Sequence, residues 1–200
     1  AMKSTILRYL GYPSSNKVDT HTLQLIQRAE EEIDKIAEFR YSHQEFDTPL
    51  PFLSENNSYL QYLHNRPYLL ISTTLGIHID RYIQRLQISD MTYATIFDAV
   101  ASAYLEWRAD NYERQLGYTN LDFRFCPGYG GTEIADNKRI GAIIKADCIG
   151  INFLDSGIML PSKSMVGIIA IGLRQQKSCA VCAAFSECIF RKRGERCYGE

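Results

Sequence analysis

Two groups of residues carry side chains whose types and spacing could do chemistry. The first is the run Arg124-Phe125-Cys126-Pro127-Gly128-Tyr129-Gly130. Beside a proline–glycine turn, the Arg124 guanidinium offers a fork of donors for a carboxylate or a phosphate, and the glycines leave backbone amides open nearby. Tyr129 stands between glycines, so its ring could lie flat against a planar ligand. A surface turn with an arginine ion pair and a tyrosine packed for stability fits the same residues. The second group is Cys179, Cys182, Cys188 and Cys197, close to the end of the chain. Four thiolates can close a tetrahedral zinc site or hold an iron–sulfur cluster. Free or opportunistically oxidised thiols beside a solvated basic run, Arg191-Lys192-Arg193, are the alternative.

Other motifs fail on inspection. In Gly128-Tyr129-Gly130-Gly131 the third glycine of a dinucleotide fingerprint falls on Glu133. Gly157 to Ser164 imitates a phosphate loop, but Ser162 replaces its second glycine and Pro161 removes an amide. The four histidines, His21, His43, His64 and His78, form no His-x-x-x-His pair, and no Gly-x-Ser-x-Gly elbow accompanies them. His78 lies in an apolar context and reads as a buried histidine, His21 as an exposed one. Lys plus Arg, 22, nearly cancels Asp plus Glu, 23, in a chain of 200 residues. That balance argues against a nucleic-acid binder. No apolar run approaches the ~20 residues of a membrane span. The opening Ala1-Met2-Lys3-Ser4 lacks the apolar core of a signal peptide, and the cysteines are clustered rather than spread as in a secreted scaffold. A cytoplasmic chain is expected.

The elements that must position these residues are read from periodicity. Asp19 to Phe39 predicts an amphipathic helix capped by Asp19 or Thr20, with Leu23, Ile26, Ile33 and Ile36 inward and Glu30 to Glu32 in solvent. Arg40 to Phe46 predicts a strand, and Thr48-Pro49-Leu50-Pro51 a break. Tyr68 to Leu75 is β-branched and apolar throughout, a buried strand. After Gly76 a helix runs through Leu86, and Ser89 or Asp90 caps a longer one ending near Leu116, whose Ala99, Ala101 and Ala103 permit close packing. Thr132 is expected to cap a helix over Glu133 to Lys145. Ile149 to Leu154 and Met165 to Ile171 read as strands. Together these predict an α+β fold: a single domain with a few-stranded antiparallel or mixed sheet and a long central helix. An N-terminal helical segment (1–50), a main domain (51–175) and a Cys-rich tail (176–200) are the expected divisions.

The string RFCPGYGG, the helix after it and the downstream LDSGIMLPSKSMVGI resemble the activation domain of cobalamin-dependent methionine synthase, in particular its short free-standing versions. The similarity spans about Asp122 to Ile171, and the ILRYLGY and TTLG segments add to it. The resemblance implies a domain that binds S-adenosylmethionine and docks on a cobalamin protein, supporting reductive remethylation of cob(II)alamin. It implies an accessory part of a methyltransferase system rather than a complete enzyme. The partners would be a cobalamin-binding methionine synthase or another corrinoid protein, and an electron donor such as a flavodoxin or ferredoxin. By the same resemblance Arg124 would hold the methionyl carboxylate, the backbone at Cys126 and Gly128 would meet the adenosyl part, and Tyr129 would face the corrin. The family's tyrosine pair has no counterpart at Lys177 to Cys179, and Glu106 is a weak candidate for a pocket carboxylate that reads rather as exposed or ion-paired. Two other readings stand beside this one: an iron–sulfur or zinc redox protein acting through the cysteine cluster, and a non-catalytic module that docks on a corrinoid protein.

Overall fold

A computed structural model of the chain describes residues 2–12, 18–172 and 186–194. In chain order the elements are α1 (Met2–Tyr9), α2 (Thr20–Ile36), β1 (Arg40–Phe46), α3 (Pro51–Ser54), α4 (Asn57–Leu63), β2 (Tyr68–Thr74), α5 (Ile77–Ser89), α6 (Met91–Gln115), α7 (Asp136–Ile143), a 3-10 turn (Ala146–Ile149), β3 (Asn152–Phe153), β4 (Met159–Leu160), β5 (Ser164–Ala170) and α8 (Ile189–Lys192). This is the α+β class expected. The chain divides into two compact units, residues 1–40, 73–116 and 160–164 in the first and 41–72, 117–159 and 165–200 in the second.

The first unit is built on α6, which packs against α1, α2 and α5. Buried side chains run around most of α6, including Tyr93, Phe97, Val100, Ala101, Tyr104 and Ala109. Alanines at 99, 101, 103 and 109 keep it narrow, so neighbouring helices can approach without overlap. Its start is fixed by Asp90, whose side chain accepts from Tyr93 N at 3.0 Å, and that of α2 by Asp19, which accepts from Thr22 N at 2.8 Å. One departure from the sequence reading arises here. His78 is half-exposed, with Nε2 3.6 Å from Glu38 Oε1, because α5 turns Ile79 and Ile83 inward instead. The opening residues form α1, and its Tyr9 donates to Glu106, which also lies 3.5 Å from Arg8; Glu106 is thus ion-paired.

Polar groups are partly buried in this unit as tyrosine–carboxylate pairs, and Glu32, expected in solvent, is among them with its side chain 24% exposed. Glu32 accepts from Tyr82 OH at 2.6 Å, Tyr93 OH at 2.8 Å and Arg28 Nε at 2.9 Å. Partial burial pushes the Glu32 carboxyl upward, but these bonds outweigh it and hold the group below its ordinary value. Burial, reinforced by the same carboxylate, raises the phenol of Tyr93. Lys163 is anchored in the same way, with Nζ 2.8 Å from Asp98 and 2.9 Å from Ser102 Oγ.

In the second unit β2 is the middle strand of a three-stranded sheet, in the order β1-β2-β5, and every residue of β2 is buried. Burial on both faces explains why its sequence runs apolar instead of alternating. The core joins Tyr59, Tyr62 and Leu63 of α4 to Tyr68 and Leu70 of β2, Val166 and Ile168 of β5, and Ile140 of α7. Both α3 and α4 went unrecognised in the sequence. Pro51 starts α3 at a position where its missing N–H costs nothing, and Asn56 caps α4 by accepting from Ser58 N at 2.8 Å. The strand expected over Ile149 to Leu154 shrinks to β3, paired with β4, because Ile149 closes the 3-10 turn and Gly150 follows with φ +87°. No described helix is long and apolar enough to cross a membrane.

The Glu32 cluster sets a pH dependence. A carboxyl held below its unfolded value stabilises the fold above that value and loses the contribution as pH falls, since the unfolded chain takes up the proton first. Thermal melts should therefore show stability dropping as the solution is acidified through the ordinary glutamate value of 4.5, and Glu32→Gln should lower the melting temperature at pH 7 while flattening that acid decline.

Candidate functional site

The second unit carries the Arg124–Tyr129 string as an extension of its sheet. Residues 120–125 run antiparallel along the outer edge of β5: Gly172 N donates to Asn120 O at 2.8 Å, Asp122 N to Ala170 O at 3.0 Å, and Phe125 and Ile168 exchange two bonds of 2.8 Å. The antiparallel bridges pair Leu121 with Ile171 but Phe125 with Ile168, so four steps on one strand face three on the other. One residue is surplus, and the strand must bulge between them. The Tyr62 hydroxyl occupies the bulge, donating to Phe123 O and accepting from Ala170 N at 3.2 Å. Burial raises the Tyr62 phenol, so it stays a protonated donor.

Arg124 sits in the bulge, half-buried. Its aliphatic stem lies across Gly167 of β5, where an added Cβ would stand 2.5 Å from Arg124 Cγ. Phe125 faces the core, its ring 5.0 Å from Tyr62 and 5.8 Å from Tyr59. The chain then turns outward. Cys126 is partly buried, Gly128 is exposed with φ +93°, and the Tyr129 ring is 65% exposed. The four residues singled out in the sequence, Arg124, Cys126, Gly128 and Tyr129, thus follow one another along a single loop.

Thr132 has a different role from the one its sequence suggests. Its hydroxyl does not cap α7 but accepts from Gly128 N at 3.2 Å and donates to Tyr129 O at 2.7 Å. The helix therefore begins later than expected, at Asp136, after a tight turn in which Asp136 N reaches Glu133 O at 3.1 Å. Ile134 in that turn is pinned against Gly157, where any Cβ would come within 2.1 Å of Ile134 O. Asn137 Nδ2 adds a bond of 3.3 Å to Gly157 O. Beneath the loop, Tyr59 donates to the buried Asp136 carboxylate at 2.9 Å, whose other oxygen meets Arg139 at 3.1 Å. Tyr59, Tyr62, Asp136 and Gly167 were not singled out from the sequence. The i, i+3, i+4 spacing of Tyr59, Tyr62 and Leu63 behind Asn56 was the available signal.

Clefts of about 250 Å³, lined by Tyr9, Met91 and Asp98 among others, and of about 360 Å³, lined by Lys3, Gln24 and Glu30 among others, belong to the first unit, and neither includes a loop residue. Of the cysteine cluster, Cys179, Cys182 and Cys197 lie outside the described residues. Cys188 is partly buried just before α8. Among the described residues no group of three or more His, Cys, Asp or Glu side chains could hold a metal ion.

No protein-family model matches the sequence, and no curated protein matches it either. A solved structure of the MetH reactivation domain bound to AdoHcy (S-adenosylhomocysteine) is similar in fold, with a TM-score of 0.63 and 14% identity, over 95% of this chain and 77% of that one.

Two substitutions separate the supports of the loop. Tyr62→Phe removes the partner of a buried amide and a carbonyl together and should cost about 1–3 kcal/mol of stability in denaturant titrations. Gly157→Ala, at φ +82° against the Ile134 carbonyl, should destabilise far more than Gly117→Ala, at φ +79° with nothing within 4 Å. The Gly117 change should cost only the left-handed penalty of about 1–2 kcal/mol.

Proposed function

We propose that the loop from Arg124 to Tyr129 binds S-adenosylmethionine and that the chain docks on a cobalamin protein, supporting reductive remethylation of cob(II)alamin. The observation that carries this reading is a loop with an arginine in a strand bulge and an exposed tyrosine directly after an exposed glycine, on a fold similar to a reactivation domain with S-adenosylhomocysteine bound. The residues present fit such a ligand. Arg124 offers a bidentate donor for the methionyl carboxylate, its stem aligned by Gly167. Exposed Gly128 presents no side chain, so a flat adenosyl group could approach closely. Its N–H is engaged by Thr132, so approach there would be to the bare Cα face.

In the proposed reaction one electron from a donor such as a flavodoxin or ferredoxin takes cobalt(II) to cobalt(I), and the sulfonium methyl passes to cobalt, giving methylcobalamin and S-adenosylhomocysteine. The chain's own part is to hold the carboxylate, orient the methyl and present Tyr129 to the corrin. Positioning of this kind is where a protein contributes most when the reactivity belongs to its ligands. The role is that of an accessory component in a methyltransferase system, with a methionine synthase or another corrinoid protein as partner.

Calorimetric titration with S-adenosylmethionine and S-adenosylhomocysteine should show saturable binding by the unaltered chain. Arg124→Ala should weaken it by about 10- to 100-fold, the loss expected of a charged hydrogen-bonded contact. Tyr129→Ala should leave that affinity nearly intact and instead weaken association with a cobalamin-loaded partner domain. An unaltered chain that binds neither ligand, alone or with the partner, overturns the reading. Partner binding lost in Tyr129→Ala without any ligand binding would identify a docking module.

A further inference from the structure

The loop holding Gly128 and Tyr129 contains three glycines in left-handed conformations, at 128, 130 and 131. A segment so rich in glycine has many accessible backbone states and needs cross-bonds to occupy one of them. Three such bonds converge on one residue, Thr132. Gly128 N donates to Thr132 Oγ1 at 3.2 Å, Thr132 Oγ1 donates to Tyr129 O at 2.7 Å, and Thr132 N donates to the same carbonyl at 3.1 Å. A further bond, from Tyr129 N to Cys126 O, is long at 3.4 Å.

Thr132 can act as a fixed point because it is itself buried, only 8% exposed, in the turn that leads into α7. Its single hydroxyl both accepts from and donates to the loop.

We propose that Thr132 is a positioning residue: its hydroxyl, not its shape, selects the loop conformation in which the Gly128 face and the Tyr129 ring are presented. The ligand part of this inference rests on the function proposed above. The latch holds the Tyr129 C=O, while the Tyr129 N–H donates to Cys126 O and the ring stays 65% exposed.

Two substitutions divide the hydroxyl from the methyl. Thr132→Val keeps the shape and removes the hydroxyl; Thr132→Ser keeps the hydroxyl and removes the methyl. The readouts are amide hydrogen exchange at Gly128 by NMR and S-adenosylhomocysteine affinity by calorimetry. Thr132→Val should speed exchange at Gly128 and weaken the ligand by about tenfold each, as the loss of one buried hydrogen bond implies. Thr132→Ser should restore both to within about threefold of the unaltered chain, a rescue that packing alone would not give. If Thr132→Val does not fold, Thr132→Ala serves as the hydroxyl-free variant. Exchange and affinity unchanged in the hydroxyl-free variant, or lost in Thr132→Ser instead, overturn the proposal. If the unaltered chain binds no ligand, the proposed function and the ligand part of the inference fall together, and Gly128 exchange alone decides whether Thr132 sets the loop.

Discussion

A strand with one residue too many for its partner must leave a donor and an acceptor unmatched, and here the Tyr62 hydroxyl meets both. By donating to Phe123 O and accepting from Ala170 N it lets residues 120–125 follow β5 while carrying the surplus residue. The bulge is what turns Arg124 onto Gly167 and sends Phe125 inward against Tyr59 and Tyr62. An unbulged strand would keep strict alternation, and one register step would exchange the faces of these two side chains. A buried pair of unmatched backbone groups would cost more than a hydroxyl placed between them contributes, so the tyrosine is tied to the bulge.

The parts of the fold legible in the sequence are those whose signal is long or chemically sharp. Arg40–Phe46 is a strand to the residue, and β5 differs by one position from its expected span. The long helix starts at the cap Asp90 supplies. Short elements escaped because periodicity needs length: α3 has four residues and α4 seven, and their markers were single residues, Pro51 and Asn56. Thr132 misled for a different reason. A threonine before an apolar periodic run satisfies the local rule for a helix cap, but its oxygen is taken by the Gly128–Tyr129 turn, a competitor visible only once the glycines have folded. His78 shows the same limit, since apolar neighbours in sequence do not say which way one helical position points.

Of the Arg124–Tyr129 loop, the sequence displayed the candidate residues and concealed the groups packed behind them. Arg124, Gly128 and Tyr129 are recognisable by type and spacing. Their supports, Tyr59, Tyr62, Asp136 and Gly167, come from α4, α7 and β5, and only the tertiary fold makes them neighbours. Buried tyrosines do similar work in the first unit, where Tyr82 and Tyr93 share Glu32 and Tyr104 donates to Asp34 at 2.8 Å. A phenol carries a large apolar ring with one donor at its tip, so it can fill a core and still satisfy a carboxylate or carbonyl at the edge. With 13 tyrosines in 200 residues, this device recurs through both units.

That economy bears on how an exposed ring can remain useful. Tyr129 stands at the outer end of its loop, and at 65% exposure its own packing stabilises little. Under the proposed docking, a ring that meets a flat partner gains nothing from being buried first, since each contact to the protein would have to be broken. The ordering must then come from elsewhere. It comes from groups behind the loop whose burial does not compete with the partner: the Thr132 hydroxyl bonded to Gly128 N and Tyr129 O, and the backbone packed at Gly157. Rigidity is supplied from the inner side while the outer side stays open, so the entropy of fixing a glycine-rich segment is met during folding and not again on binding.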